Sequence, residues 1–306
     1  MIVDVHYHSW RLPEDEKILR FSMERLLVDP GRFGISRTFD EVIPFYRDWT
    51  DDADGDKLIK RMDEAGIDIT VTNVVDLFYV GWDNETIMRR NEQCAQAAAK
   101  HPGRIIALAG IDPRRPEAPA LFRRCIQELN MKGLKWHPDM GHYPNSKEAY
   151  EVLKVASELN VPLLTHCSPL SFTRAKYAHP IHLDDIALDF PSMQIIAAHI
   201  GFMWWHDWLA LALHKKNICG DLAGWQVFAE SKPILFRRYL REILDVLGPD
   251  QVMLGTDGPF FEPHVSNRRF VEMIKGLTEV GSDRIRFSEQ EVDAILGGNA
   301  ARIFKL

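Results

Sequence analysis

Along this 306-residue chain, apolar residues gather in short runs. Each run is followed by a loop and then by a stretch with helical spacing. Eight runs read as strands: residues 2–5, 67–75, 105–109, 133–136, 161–165, 194–198, 218–221 and 252–255. Continuous apolar runs of this length suit strands covered on both faces, as in a parallel sheet. Helical patterns cover 56–65, 84–100, 117–130, 147–160, 182–190, 204–214, 232–247 and 265–277. The clearest is 84–100, where Ile87, Cys94, Ala95 and Ala98 make an apolar stripe. Asp83 or Asn84 can cap its start, and His101-Pro-Gly ends it. A last helix, 288–296, opens with the capping-box pattern Ser288-Glu-Gln-Glu291 and is predicted to stop at Gly297-Gly298.

Eight strands alternating with helices predict an α/β protein folded as one (β/α)8 (TIM) barrel over 1–306. No Gly-rich phosphate loop follows the first run, which argues against a doubly wound nucleotide-binding sheet. Residues 9–54 interrupt the alternation and carry Trp10, Phe33, Phe39, Phe45, Tyr46 and Trp49. They are expected to form an insertion after strand 1 that folds over the barrel mouth, or else a surface flap that packs or dimerises.

Composition narrows the function classes. An apolar content of 46% supports a large core, and no apolar run reaches the length of a membrane span. The net charge is −7 without a basic block, which argues against nucleic acid as partner. Cys94, Cys125, Cys167 and Cys219 are widely spaced and read as core thiols of a cytoplasmic protein. Met1-Ile-Val-Asp-Val is too short and too soon followed by polar residues to read as a signal peptide.

Candidate chemistry collects at the ends of the predicted strands, where barrel active sites lie. Strand 1 ends in His6-Tyr-His8, strand 4 in Lys135-Trp-His137, strand 5 in Thr165-His166, strand 6 in His199-Ile-Gly201 and strand 8 in Thr256-Asp257-Gly-Pro259. Side chains alternate along a strand, so His6 and His8 share a face and two imidazoles can bind one metal ion. Alternation sends Cys167 to the face opposite His166.

These motifs resemble the amidohydrolase superfamily, in particular its amidohydrolase-related (amidohydrolase 2) branch, which includes aminocarboxymuconate-semialdehyde decarboxylases. The ending Leu296-Gly-Gly-Asn-Ala-Ala-Arg-Ile-Phe304 is similar as well, and the resemblance spans nearly the whole chain. It implies a metal-dependent enzyme with His6, His8, His166 and Asp257 as ligands of one divalent ion, Zn2+ or Mn2+. It makes His199 and Asp257 the acid/base pair, with His199 not a ligand. Lys135 could instead be carboxylated and bridge a second metal, or it could bind a substrate carboxylate. His137 binds substrate or caps its strand, and Arg47 or Arg37 could hold a substrate carboxylate. Trp136, Tyr143, Trp204 and Trp205 line a pocket or serve packing, while His142 and Arg174 are further candidates for an anionic ligand. The resemblance implies a small-molecule substrate and a homodimer. Its leading activity is hydrolysis of a small carboxylated molecule by a metal-activated water. The alternative is non-oxidative decarboxylation of a carboxylated ring or muconate, and a third reading is a ligand-binding barrel without catalysis. A nuclease of related architecture is disfavoured by the acidic charge and by lysine, not glutamate, at strand 4.

Overall fold

Each of the eight apolar runs forms a parallel strand: β1 (Val3–His8), β2 (Ile69–Asn73), β3 (Ile105–Gly110), β4 (Leu134–Trp136), β5 (Leu163–Thr165), β6 (Ile195–Ala197), β7 (Ile218–Asp221) and β8 (Val252–Met253). The computed structural model describes residues 1–9, 19–20, 23–25, 27–50, 52–171 and 173–306. Strand order follows chain order from β1 to β8. The two edges then meet: Val5 N–H donates to the Leu254 carbonyl (3.0 Å), Asp257 N–H to His6 (2.8 Å) and His8 N–H to Gly258 (2.7 Å). The chain is therefore a (β/α)8 barrel. Among the described residues, no helix is long and apolar enough to cross a membrane.

Two buried layers follow from strand alternation. Val3, Val5, Ile69, Val71, Leu108, Leu164, Ile196, Cys219 and Met253 meet inside the barrel, where Ala300 and Ile303 of the C-terminal helix join them. The alternate strand residues, such as Ala107, Leu134, Trp136, Leu163 and Ile195, pack outward against the helices. All four cysteines are buried free thiols, and Cys167 lies in the outer layer.

Helix Asn84–Lys100 has the expected bounds, and Asp83 is its cap, accepting the Thr86 N–H at 2.8 Å. Most other elements are trimmed by one to three residues at their ends, where backbone groups turn to loop partners. β1 ends in His6-Tyr-His8 as expected. Two expectations need correction. A helix, Trp225–Ser231, precedes Pro233–Leu247 where only one was expected. The capping box at Ser288 forms, but Gly297-Gly298 does not end the helix, which continues through Asn299–Phe304. Gly297 serves close approach instead: a Cβ there would collide with the Met1 carbonyl.

Between β1 and helix Asp56–Ala65 lie helices Val28–Arg32 and Phe39–Thr50. Apolar residues of this stretch, Leu19, Met23, Leu27, Phe39, Val42 and Tyr46, form a small core of their own. Phe33 meets Phe202 and Phe228 edge-on, and the Tyr46 hydroxyl donates to the Phe260 carbonyl at 2.6 Å. Those partners follow β6, β7 and β8. Trp10 lies outside the described residues.

Gly110 ends β3 against the backbone of β2, and an added Cβ would strike the Val74 carbonyl. Gly110→Ala should therefore cost on the order of 3 kcal/mol. Urea unfolding of the two proteins side by side checks this, with a lower midpoint expected at unchanged m-value.

Candidate metal centre

His6 and His8 reach the barrel interior because β1 is irregular. Val3 and Val5 already face inward, so strict alternation would turn His6 and His8 toward the helices. Pairing with β2 slips between Asp4 and Tyr7, from Asp4 opposite Thr70 to Tyr7 opposite Thr72. Such a bulge re-aims the residues beyond it. Tyr7 joins the outer layer, and both histidines turn inward. Asp4 anchors the bulge, accepting the His6 N–H (3.1 Å), the Thr256 N–H (2.9 Å) and the Thr256 hydroxyl (2.6 Å).

Other strands deliver their side chains by plain alternation. Lys135 stands between outward Leu134 and Trp136, and its Nζ donates to His6 Nε2 at 2.7 Å. His166 follows inward Leu164 by two residues, and Asp221 follows inward Cys219 by two. His199 is the exception. It comes directly after inward Ala198, so alternation would send it out. His199, Ile200 and Phe202 instead adopt left-handed backbone, with φ of 65°, 50° and 48°. Such values are uncommon outside glycine and are kept only where surroundings enforce them. Here Trp225 Nε1 holds the His199 carbonyl at 2.6 Å, and Asp221 Oδ1 holds the His199 N–H at 2.9 Å. Asp257 is left-handed too, at φ 53°.

The resulting contacts fix the imidazole tautomers. His6 Nδ1 donates to Asp221 Oδ2 (3.1 Å), so its Nε2 carries a lone pair. His166 Nε2 donates to the Ser168 carbonyl (2.9 Å), and His199 Nδ1 donates to the Ala223 carbonyl (2.8 Å). Lone pairs then face inward. His6 Nε2, which accepts from Lys135 Nζ, is 3.2 Å from His8 Nε2, and the bare His166 Nδ1 is 3.1 Å from the bare His199 Nε2. Asp257 Oδ1 joins the first pair, 2.8 Å from His8 Nε2 and 3.4 Å from His6 Nε2. His8 Nε2 donates to Asp257 here, and His8 Nδ1 has no partner among the described residues, so a metal ion at Nε2 would shift the ring proton to Nδ1. Facing lone pairs repel unless a cation draws them together, so this donor set fits a divalent ion. His6, His8 and Asp257 make one group with ligand atoms within 4.8 Å, and His6, His199 and Asp221 make another.

Burial keeps these imidazoles neutral. It lowers His8 to about 3 and His166, His137 and His142 to about 4, and it also lowers His6 and His199. Burial likewise brings Lys135 down to about 8 and pushes Asp221 up against its three N–H donors. For Asp257 burial works upward, but the imidazoles of His6 and His8 outweigh it and hold the carboxylate well below its usual range.

The structure thus brings together His6, His8, Asp257, Lys135 and His199. His166 lies one ring away, paired with His199, and outside both three-residue groups. His199 falls within a candidate ligand group, although the resemblance implied a role without metal contact. His137 stacks on His166 with centroids 4.7 Å apart. Arg47 and Arg37 are exposed, Arg47 on helix Phe39–Thr50. Trp136 is a packing residue whose Nε1 donates to the Ile111 carbonyl, and His142 is buried. Sequence reasoning missed Asp221 and Asp139. Asp221 closes the seventh apolar run with the parity of Cys219, a signal that was there to read. Asp139 lies in the short turn Pro138–Met140 and carried no such signal.

Barrel and site together define a (β/α)8 enzyme with a His/Asp metal-binding group at the C-terminal ends of its strands. A family model described as "Amidohydrolase" matches residues 3–306. The chain belongs to the amidohydrolase family, in its amidohydrolase 2 branch. Among solved structures, it is similar to 5-carboxyvanillate decarboxylase from Novosphingobium aromaticivorans, complexed with manganese and 4-hydroxy-3-methoxy-5-nitrobenzoic acid. The TM-score is 0.70 at 19% identity, covering 100% of this chain and 96% of that one. It is also similar to dihydroxybenzoic acid decarboxylase from Polaromonas, with bound manganese and the inhibitor 2-nitroresorcinol. There the TM-score is 0.67 at 19% identity, covering 100% of this chain. Among curated sequences, a 3'-5' ssDNA/RNA exonuclease TatD from Erwinia tasmaniensis is 25% identical over 224 residues, 69% of this chain and 75% of that protein.

Two measurements probe the centre. Asp221→Asn removes the acceptor that orients His6, so metal affinity should fall roughly 10- to 100-fold in chelator competition. In metal-free protein, the buried histidines stay neutral while the unfolded chain takes protons below about pH 6.5. The unfolded state then binds more protons, so stability should fall as pH drops from about 6.5 to about 4, by up to about 1.4 kcal/mol per pH unit for each histidine. Asp4, Asp76, Asp221 and Glu262, raised by burial, oppose this but are outnumbered by His6, His8, His137, His142, His166, His199 and His264. Urea midpoints across that range check the slope, and a flat profile would contradict neutral imidazoles.

Proposed function

We propose that this enzyme is a non-oxidative decarboxylase of a small carboxylated ring bearing a hydroxyl group, acting with one divalent ion. Its main support is the pairing of the His/Asp centre with a whole-length fold likeness to two manganese-bound decarboxylases of hydroxylated benzoates. That support favours decarboxylation over hydrolysis. His6, His8, His166 and Asp257 would hold the ion, with His199 beside them. When bound, the ion supplies positive charge that anchors and polarises an anionic substrate oxygen.

The remaining chemistry belongs to the chain. Loss of CO2 leaves the electron pair of the broken C–C bond on the ring carbon, which must then take a proton. In this reading Asp257, held by a left-handed backbone and by its N–H bond to His6, would relay a solvent proton to that carbon. Asp221 orients His6 and the His199 backbone at once. Lys135 is the buried cation among Asp221, Asp257 and Asp139 and balances their charge. Phe33 and Tyr46 pack on the segments after β6, β7 and β8, and in this reading their helices help roof the barrel mouth and keep water from the carbanion.

The test loads purified protein with Mn2+ or Zn2+ and offers a panel of hydroxybenzoates and carboxyvanillate-type acids in D2O. Expected are CO2 release and one deuterium at the vacated carbon, with both lost in a His166→Asn variant that also loses metal. Incorporation of 18O from water into the product would restore hydrolysis, and cleavage of single-stranded DNA would favour the exonuclease-like relatives.

A further inference from the structure

We propose that His137, held in one tautomer by Asp139, accepts a hydrogen bond from a phenolic hydroxyl of the substrate and so selects hydroxylated rings. This deepens, and rests on, the decarboxylase reading above. His137 directly follows β4, two residues past Lys135. Its ring lies flat on His166, with centroids 4.7 Å apart and planes at 13°, and it lies 5.8 Å from His8. It therefore borders the metal group without belonging to either ligand set.

The tautomer follows from its partner. Asp139 Oδ1 is 3.2 Å from His137 Nδ1. An ionised carboxylate only accepts, so Nδ1 carries the proton and Nε2 a lone pair. Asp139 is itself immobilised: it is buried, and its carbonyl accepts the Arg174 N–H at 3.1 Å. His137 Nε2 is buried and has no partner among the described residues. His166 Nε2 donates to the Ser168 carbonyl and Lys135 Nζ to His6, and no described donor reaches His137 Nε2. A buried lone pair left without a donor costs free energy, so the site favours a ligand that brings its own hydrogen. A carboxylate oxygen or a methyl ether brings none. A phenolic O–H does.

The experiment uses Mn2+-loaded protein and calorimetry with two probes, 2-nitroresorcinol and its dimethyl ether. Two variants are compared with the wild type. His137→Phe keeps a flat ring against His166 but removes the acceptor. Asp139→Asn keeps the imidazole but offers it an amide N–H, which moves the ring proton to Nε2 and turns acceptor into donor. Both variants should bind metal normally, lose roughly tenfold in affinity for the phenol, and bind the ether as the wild type does. An unchanged preference for the phenol in both variants overturns the proposal. So does metal loss in both, which would make His137 a prop for His166. CO2 release by the wild type is measured alongside. If it occurs while the variants keep their preference, only the role of His137 fails. If no hydroxylated acid is decarboxylated yet the preference for the phenol depends on His137, the decarboxylase reading fails and the acceptor role stands.

Discussion

A buried imidazole has two nitrogens and one proton, and the centre of this barrel is organised by where each proton goes. His6 donates its ring N–H to Asp221, His166 to the Ser168 carbonyl and His199 to the Ala223 carbonyl. Each outward donation leaves an inward lone pair. Burial forbids the easy remedy of protonating the rings, because a charged imidazole would forfeit its hydration there. The cluster is therefore electron-rich at its middle: Lys135 meets the His6 lone pair, no hydrogen lies between His166 Nδ1 and His199 Nε2, and a divalent cation is the natural complement. Oxygen atoms behind the imidazole rings thus determine what their inward faces can bind.

Aiming the lone pairs needs two departures from regular strand geometry. One is the slip in β1, which carries His6 and His8 from the helix-facing side to the interior. The other is the left-handed run through His199, Ile200 and Phe202, which turns His199 back after an inward Ala198. Asp221 supports both departures, receiving the ring N–H of His6 and the backbone N–H groups of His199 and Ala223. Such strain concentrates where function demands geometry that ordinary strands do not supply.

This explains what could be read from the chain. Eight apolar runs and their helices revealed the barrel, because both periodicities arise from burial and each residue reports its own. The strand-end positions of His6, His8, Lys135, His166 and Asp257 likewise revealed a candidate centre. Facing was harder. Alternation pairs His6 with His8 correctly, but taken from Val3 and Val5 it places both outside the barrel, and nothing local announces the slip at Asp4. His199 was placed at the site by its motif, whereas its orientation depends on Trp225 and Asp221, distant in sequence. The continuation past Gly297-Gly298 was hidden for a similar reason: a glycine needed for contact with Met1 is spelled like one that stops a helix.

The hydrogen bonds that close the barrel run through the backbones of His6, His8 and Asp257. First and last strands meet through the same residues whose side chains form the centre. The N-terminal and C-terminal thirds of the chain must therefore join before any site exists, so a chain still emerging from synthesis carries an incomplete ligand set until β8 is made. The same seam sets where the molecule tolerates being recut. A circular permutant opened in an outer loop keeps the β1–β8 junction and with it the centre. One whose new termini fall beside that junction loses closure and ligand geometry together.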